Sequence, residues 1–405
     1  MIETPRGNRV HIALFGRTNV GKSSLINKIT GQNISVVSEV KGTTTDPVYK
    51  AMELLPIGPV VFIDTPGIDD DTTIGNLRVE RTQEVLNKMD LAILIISAQD
   101  ILNTSDFTYE SMWLDKIKKK EKPFIVVVNK SDLIKDDKLA QEKIAKVKEL
   151  LNSEILLLSA LDDKDTLKLK NKIIELAPKI FTEGSLIGDK INYGDSILLV
   201  APQDIQAPKG RLILPQVQVI RDILDNGGIP MVVTLDNLEN GLKLLKDNLK
   251  LVITDSQVFG VVNKALDRKI PLTSFSIIMA RAKGDLISLY EGAKAIENLK
   301  KGDKVLIAEA CTHHQLKGDI AREKIPQLLE KKVPGITIDN CSGKDFPKNL
   351  DEYSLVIHCG SCMLNRAETM SRIESCEERK LPITNFGMAL AQLNGILDRV
   401  MEIFK

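Results

Sequence analysis

A phosphate-binding loop near the start of the chain constrains the fold more than any other feature. Residues 16–23 read Gly-Arg-Thr-Asn-Val-Gly-Lys-Ser and directly follow the apolar stretch 11–15. In such a loop the backbone N–H groups and the dipole of the following helix form a pocket for the β-phosphate of a nucleotide. We predict that Lys22 reaches the β- and γ-phosphates and that the Ser23 hydroxyl binds Mg²⁺. The loop contacts are predicted from Gly16, Asn19, Val20, Gly21, Lys22, Ser23 and Ser24.

Two further segments suit the magnesium and γ-phosphate side of a nucleotide site. Asp64-Thr65-Pro66-Gly67 ends the apolar stretch 60–63. There Asp64 would hold Mg²⁺ through water, and the N–H of Gly67 would sense the γ-phosphate. Thr44 lies in a polar stretch, Gly-Thr-Thr-Thr-Asp at 42–46, that suits a switch closing on Mg²⁺.

Two later segments suit recognition of the base. Asn129-Lys130-Ser131-Asp132 ends the apolar stretch 124–128. A carboxylate at Asp132 can accept both donors on the guanine edge, which adenine does not offer. Ser159 and Ala160 end another apolar stretch and would supply a backbone N–H to the guanine oxygen. Chance turns at strand ends do not explain five such loops in the order of a guanine-nucleotide-binding domain.

Apolar strands that alternate with amphipathic helices predict the fold class and its divisions. Continuous apolar strands separated by helices indicate a parallel sheet covered on both faces. We predict an α/β chain with a doubly wound, mostly parallel P-loop domain at 1–178, a second α/β domain at 179–267 that suits a scaffold or oligomerisation role, and a third α/β domain at 268–405. The predicted strands are 11–15, 60–63, 91–97, 124–128, 155–158, 196–200, 231–234, 251–254, 304–308, 336–339 and 355–357. The predicted helices are 75–88, 107–120, 138–151, 166–176, 215–224, 239–246, 256–266, 285–298, 318–331, 364–377 and 387–403.

Charge and hydropathy restrict the partners. Lys plus Arg and Asp plus Glu each number 55, so the formal net charge is zero. A dominant nucleic-acid-binding role would leave a basic surplus. No apolar run approaches the roughly 20 residues that span a membrane. The first residues also lack the apolar core of a signal peptide, so we expect a cytoplasmic protein without nucleic-acid or membrane partners.

The cysteines are the second informative feature. All five lie in the last quarter of the chain: Cys311, Cys341, Cys359, Cys362 and Cys376. Cys311 follows the predicted strand 304–308, and Cys359 and Cys362 follow 355–357. Ligands gather at the carboxyl ends of parallel strands, so these three thiols would meet if the two strands are neighbours. Cys362 would also lie at the start of the helix 364–377, where the dipole favours a thiolate.

Three interpretations of these thiols remain open from the residues alone. Three thiolates suit a 4Fe–4S cluster with one exchangeable iron position. Zinc held by three Cys and one His is the main alternative, and a redox pair at Cys359 and Cys362 is the third. His358 could be a ligand or could only orient the loop. Cys341 is a possible fourth ligand without supporting spacing, and Cys376 suits a packed position inside a helix.

With both constellations in one chain, the sequence resembles the maturation GTPases of FeFe-hydrogenases, the HydF family. The family signature, Cys-x-His followed after a long gap by His-Cys-x-x-Cys, corresponds here to Cys311, His313, His358, Cys359 and Cys362. The resemblance spans the whole chain, and it implies a dimerisation domain at 179–267 and an iron–sulfur cluster-binding domain at 268–405. It implies a 4Fe–4S cluster on the three cysteines, with His313 or His358 as a candidate fourth ligand.

The same resemblance implies a function and partners. The protein would be a homodimeric scaffold that carries a di-iron precursor of the hydrogenase active site and delivers it to the apo-hydrogenase. Radical-SAM maturases would act upstream. The alternative from a different class is a tRNA-modification- or ribosome-associated GTPase switch with a structural zinc site.

The phosphate-binding loop also resembles that of K⁺-stimulated GTPases of the tRNA-modification type. In those proteins an Asn at the position of Asn19 helps to hold a K⁺ ion, which serves in place of an arginine finger. Ile68 follows Gly67, where Ras-like proteins have a catalytic Gln. We therefore expect slow GTP hydrolysis without K⁺. A loop-stabilising amide is the plainer role for Asn19.

Overall fold

The computed structural model describes most of the chain in two compact units. The described residues are 6–31, 46–67, 73–134, 137–177, 185–202, 212–310, 319–343, 346–347 and 349–405, with backbone only at 6 and 73–78. One unit comprises Met1–Glu183 and the other Gly184–Lys405. Thr44, Ile68, Cys311 and His313 lie outside the described residues.

The first unit contains a six-stranded sheet in the order β2-β3-β1-β4-β5-β6. The strands are β1 Val10–Phe15, β2 Val48–Leu54, β3 Gly58–Asp64, β4 Leu91–Ser97, β5 Phe124–Asn129 and β6 Ile155–Leu157. The helices are α1 Lys22–Thr30, α2 Thr73–Leu86, α3 Ala98–Asn103, α4 Thr108–Lys119, α5 Lys138–Leu151 and α6 Asp163–Leu176. All neighbouring strands are parallel except β2 and β3, which are antiparallel.

Burial explains why these strands form the centre of the sheet. Every residue of β1 and β4 is buried. Successive side chains point to opposite faces, so a fully buried strand needs a helical layer on each side. The two layers enclose separate cores: Trp113 and Phe15 pack in one, while Phe62 and Leu25 pack in the other. This arrangement is the predicted doubly wound P-loop fold.

The second unit contains two four-stranded, fully parallel sheets, ordered β10-β9-β7-β8 and β12-β11-β13-β14. The strands are β7 Ser196–Val200, β8 Ile229–Val233, β9 Leu249–Thr254, β10 Leu272–Ser274, β11 Lys304–Glu309, β12 Thr337–Ser342, β13 Leu355–His358 and β14 Ile383–Asn385. The helices are α7 Leu214–Asp225, α8 Leu238–Leu245, α9 Phe259–Ala265, α10 Phe275–Lys283, α11 Leu286–Lys294, α12 Ile325–Lys332, α13 Arg366–Glu377, α14 Phe386–Leu393 and α15 Leu397–Met401. One hydrophobic core joins residues of both sheets, including Leu198 and Val252 from one and Val305 and Val356 from the other.

Several elements differ from the sequence prediction. The predicted helix 387–403 is two helices, α14 and α15, because the chain turns at Gly395 with a left-handed φ of 70°. The predicted helix 285–298 ends at Lys294 and continues as a 3-10 turn. A π-helical turn at Ile320–Lys324 precedes α12 where one helix was predicted. The short strands β10 and β14 and the helix α10 were not predicted.

Candidate functional site

The phosphate-binding loop has the backbone geometry that its glycines predict. Gly21 is the N-cap of α1 with a φ of 95°, a conformation that side chains rarely adopt. A Cβ on Gly21 would lie 2.3 Å from Nδ2 of Asn129. Only glycine therefore fits between the loop and the base-side segment.

The loop lysine is held above the loop by backbone carbonyls. Lys22 is buried, and its Nζ donates hydrogen bonds to the carbonyl oxygens of Gly16 at 2.9 Å and Arg17 at 2.7 Å. An ammonium in this position is ready to exchange carbonyl partners for phosphate oxygens. Phosphate binding by Lys22 stays a prediction.

The two predicted magnesium residues lie in direct contact. Asp64 ends β3 and pairs in register with Leu14 of β1, which leads into the loop. The Ser23 hydroxyl donates a hydrogen bond of 2.5 Å to Oδ2 of Asp64. Burial raises the pKa of the Asp64 carboxyl, while the Ser23 hydrogen bond and the nearby ammonium groups of Lys22 and Lys50 oppose the rise. A half-buried carboxylate beside a hydroxyl next to a phosphate-binding loop suits a hydrated Mg²⁺ ion.

Asn129 ties the base-side loops to the phosphate loop. It is buried, its Nδ2 donates to the carbonyl of Val20 at 2.9 Å, and its Oδ1 accepts from the N–H of Ala160 at 3.2 Å. Nζ of Lys130 donates to the carbonyl of Asn19 at 3.0 Å. Through these two bonds Asn129 holds the phosphate-binding loop and the Ser159–Ala160 segment in place.

The remaining base-side residues lie beside them. Asp132 is exposed on a 3-10 turn directly after β5, where its carboxylate is accessible to a base. The N–H of Ser159 donates to Asp165 at 2.9 Å and that of Ala160 to Asn129, so each N–H is engaged within the protein. Asn19 has a left-handed φ of 63° and is exposed.

A buried ion pair fixes the second residue of the loop, and sequence reasoning missed it. Glu110 of α4 is fully buried, and its carboxylate accepts from Nε of Arg17 at 2.6 Å and from NH2 at 3.1 Å. The guanidinium also donates to the carbonyl of Asp106 and lies 5.3 Å from the centre of the Tyr109 ring. The only sequence signal is a carboxylate on the apolar face of a predicted helix.

The cysteine site begins where two neighbouring strands end. β11 and β13 pair in parallel, with Ala308 opposite His358. The N–H of Cys359 donates to the carbonyl of Ala308 at 2.8 Å, and the N–H of Ala310 donates to Sγ of Cys359 at 3.1 Å. The residue directly before Cys311 therefore contacts the Cys359 thiol, although Cys311 itself lies outside the described residues.

One backbone N–H points at the sulfur of a predicted ligand, Cys359. An N–H donor aimed at sulfur stabilises a thiolate. Within the described ranges no group of three or more Cys, His, Asp or Glu side chains is arranged around a metal position. Two of the five signature residues, Cys311 and His313, lie outside those ranges.

His358 is held by the protein through both ring nitrogens. It is buried, its Nε2 lies 2.9 Å from NH1 of Arg372, and its Nδ1 lies 2.9 Å from the carbonyl oxygen of Cys359. A guanidinium can only donate, so Nε2 accepts and the ring proton is on Nδ1, which donates to Cys359. Burial and the Arg372 charge lower the pKa of His358 to about 3, so the ring is neutral. This geometry favours the orienting role over ligation.

Cys362 differs from its predicted setting. Helix α13 begins at Arg366 with Asn365 as its N-cap, so Cys362 lies in the turn before the helix and not in its first turn. The prediction that Cys362 lies at the start of this helix, where the helix dipole would favour its thiolate, is therefore wrong. Ser361, just before it, is buried with a left-handed φ of 54°, a conformation that costs about 1–2 kcal/mol for a residue with a Cβ.

The other two cysteines have distinct surroundings. Cys341 of β12 pairs in register with Ala308 and is half-buried. Cys376 lies inside α13, where burial raises the pKa of its thiol to about 12. Cys376 is therefore a packed core residue, as its position predicts.

A buried lysine under the cysteine loop was missed by sequence reasoning. Lys283 is the last residue of α10 and is 7% exposed. Burial lowers the pKa of Lys283 to about 8, and Cys362 and Cys359 oppose that change. The sequence signals the helix but not the burial of its lysine: Ser274 caps a nine-residue helix whose last turn contains Arg281 and Lys283.

Comparison with known families assigns all three parts of the chain. Residues 186–284 match the family model described as the hydrogen maturase F dimerization domain, and residues 287–403 match the hydrogen maturase F tetramerization domain. Residues 11–130 match the model of a 50S ribosome-binding GTPase. The descriptions of the two later segments name assembly, so they fit oligomer formation.

Individual relatives match the GTPase domain. The tRNA modification GTPase MnmE of Clostridioides difficile (strain 630) is 33% identical over 187 residues, which are 45% of this chain and 38% of the relative. GTPase Era of Fusobacterium nucleatum is 36% identical over 142 residues, 35% of this chain and 46% of Era. The chain thus spans less than half the length of these relatives. A crystal structure of Era from Aquifex aeolicus bound to GDP.AlF4- covers 58% of this chain and 98% of Era, with 21% identity and a TM-score of 0.37. No helix in the described part of the chain has the length and hydropathy of a membrane span.

Proposed function

Because the chain belongs to the hydrogen maturase F family, we propose that it is a GTPase and iron–sulfur scaffold for hydrogenase maturation. In this role it assembles a di-iron precursor of the FeFe-hydrogenase active site and delivers it to the apo-hydrogenase. Radical-SAM maturases supply it upstream, in the cytoplasm. The dimerization and tetramerization segments fit a homo-oligomer that is at least a dimer.

The nucleotide half of the proposal rests on residues that converge at one edge of the first sheet. Lys22 and the loop N–H groups bind the phosphates, while Ser23 and Asp64 hold Mg²⁺. Thr44 and Gly67 complete the γ-phosphate side, and Asp132 selects guanine. We also propose that Asn19 helps to bind the K⁺ ion that stimulates hydrolysis.

The single observation that supports the scaffold role is the contact between Ala310 and Cys359. The N–H of Ala310, the residue before Cys311 in the sequence, donates to Sγ of Cys359 at 3.1 Å. We propose Cys311, Cys359 and Cys362 as the ligands of a 4Fe–4S cluster. When bound, such a cluster offers one iron position with an exchangeable ligand.

The hydrogen bonds of His358 bear on which residue is the fourth cluster ligand. His313 remains a candidate, whereas both nitrogens of His358 already have partners within the protein. We therefore propose that His358 orients the Cys359 backbone. GTP hydrolysis gates partner binding or release, because the nucleotide residues and the cysteines lie in different units of the chain.

Iron and sulfide analysis with EPR on anaerobically purified protein tests the scaffold role. We expect about four iron and four sulfide per chain in the wild type. Cys359→Ser should lose most of the iron, because the substitution removes a thiolate ligand. Cys376→Ala is the matched control, since this thiol is buried inside α13 and is not one of the proposed ligands.

Two outcomes would contradict the proposal. Full iron retention in Cys359→Ser would show that the ligands are assigned wrongly. A colourless wild-type protein with one tightly bound zinc would favour the alternative, a tRNA-modification- or ribosome-associated GTPase with a structural zinc site.

A further inference from the structure

We infer that Lys283 is a positioning residue of the cysteine site: its ammonium fixes the Cys359–Cys362 loop and supplies a positive charge beside the bound cluster. This inference deepens the proposed function and rests on it. Lys283 lies on α10, far in sequence from the signature residues, and forms no part of the signature.

All three N–H donors of the Lys283 ammonium have acceptors in the loop. Its Nζ donates to the carbonyl oxygens of Ser361 at 3.1 Å, Cys362 at 3.3 Å and Leu364 at 2.9 Å. An ammonium has three N–H donors, so three carbonyls satisfy it completely. The three acceptors come from four consecutive residues, and the lysine therefore gathers this turn around a single point.

The loop needs such a support because its backbone is strained. Ser361 is buried and left-handed, with a φ of 54°, although it carries a side chain. Strained residues of this kind persist only where surrounding contacts hold them. The bond from Lys283 to the Ser361 carbonyl and the 3.3 Å contact of Ser361 Oγ with Nδ1 of His358 are two such contacts.

The charge of Lys283 needs an explanation that hydrogen bonding alone does not give. A buried ammonium loses hydration, and neutral carbonyls recover only part of that free energy. The loop whose carbonyls Lys283 binds contains Cys362, one of the proposed cluster ligands. Thiolates that held an anionic cluster would place negative charge beside this ammonium.

A second buried cation, Arg372, contacts the histidine that directly precedes this loop. Arg372 of α13 donates to Nε2 of His358 and to the carbonyl of Gly343, which follows β12. Its guanidinium also lies 5.0 Å from the centre of the Phe346 ring. Lys283 differs from Arg372 in contacting the Cys362 carbonyl directly, so its removal is the sharper perturbation.

The test uses the full-length chain, purified anaerobically, with two variants and a control. Lys283→Met keeps the length of the side chain but removes charge and donors, whereas Lys283→Gln removes the charge and keeps N–H donors. Lys294→Met is the control, because Lys294 of α11 is exposed and its ammonium pairs with Glu291. Hydrogen exchange of the amides at 360–364, iron content and the cluster midpoint potential are measured for each protein.

We expect Lys283→Met to speed exchange of these amides by about tenfold or more and to lower the iron content at least twofold. In Lys283→Gln the iron content should be closer to wild type. Loss of a nearby positive charge disfavours the reduced, more negative cluster. Both variants should therefore shift the potential in the negative direction, by about 59 mV if the one-electron equilibrium changes tenfold. Lys294→Met should match the wild type in all three measurements.

Unchanged exchange in both Lys283 variants would overturn the positioning role. If a variant retains iron and its cluster midpoint potential is unchanged, the charge role is overturned. Lys283 would then act only by holding the loop in place. Failure of the proposed function is separately visible, since a wild type without iron fails the scaffold assignment while the exchange measurement still decides the role of Lys283.

Discussion

The buried pair of Arg17 and Glu110 gives the sharpest quantitative prediction for the first unit. Glu110→Ala leaves the Arg17 guanidinium without its carboxylate partner. Breaking a buried pair by removing one member costs about 3–5 kcal/mol. The Arg17 side chain is 20% exposed and keeps its bond to the Asp106 carbonyl, so it regains part of its hydration. We therefore expect a loss of about 2–3 kcal/mol in the free energy of unfolding of this unit.

The single tryptophan of the chain makes this measurable in the full-length protein. Trp113 is fully buried in α4 and stacks on Phe15 with ring centres 5.8 Å apart, so its fluorescence reports the first unit. In urea titrations the Trp113 transition should move to lower concentration. The matching thermal midpoint should fall by about 5–10 °C, at roughly 2–4 °C per kcal/mol for a unit of this size.

Two variants separate the ion pair from other effects. Asp115→Ala removes an exposed carboxylate from the same helix and should change stability by less than about 0.5 kcal/mol. Replacing Arg17 and Glu110 together by Met should recover at least half of the loss, because no uncompensated charge remains. A Glu110→Ala loss below about 1 kcal/mol, or a double variant as unstable as the sum of the singles, would refute this reasoning.

Three further predictions concern the nucleotide site. Lys22→Ala should lower GTP turnover by about 100-fold or more with unchanged iron content, because the nucleotide and the cysteines occupy different units; loss of iron as well would show that the units are coupled. Asp132→Asn should lower GTP affinity by about 10–100-fold and shift preference toward xanthosine triphosphate in competition assays, and unchanged GTP affinity would exclude the base-reading role. Asn19→Ala should abolish the increase in GTP turnover that K⁺ produces over Na⁺, and a retained K⁺ effect would assign Asn19 to loop stability only.

Patterns of burial explain which elements could be predicted from the sequence. The strands β1, β4 and β5 are continuous apolar runs because helices cover both of their faces. The edge strand β2 was missed because its side chains are mostly exposed or half-buried and its run is not apolar. β10 and β14 have three residues each, too few for any periodicity to register.

Some residues of the candidate sites could be predicted from the sequence and others could not. Loop residues such as Lys22 and Asp64 are constrained by the ligand itself, so their spacing along the chain is informative. Glu110 and Lys283 act through protein contacts made 93 residues and 78–81 residues away in sequence. No local sequence pattern indicates which helix packs under which loop. Glu110 and Lys283 meet their partners only once the strands have assembled in their final order.

His358 shows why a histidine beside a cysteine cannot be assigned a role from the sequence. A ligating and an orienting histidine require the same residue type at the same place, and they differ in the partners of the two ring nitrogens. Here the partner of Nε2 is Arg372, fourteen residues along on α13, whose guanidinium also donates to the Gly343 carbonyl. Because an arginine only donates, its presence fixes the tautomer of the ring and commits Nδ1 to the Cys359 carbonyl. The choice between metal ligand and backbone support is therefore made by a residue of the following helix, outside the signature.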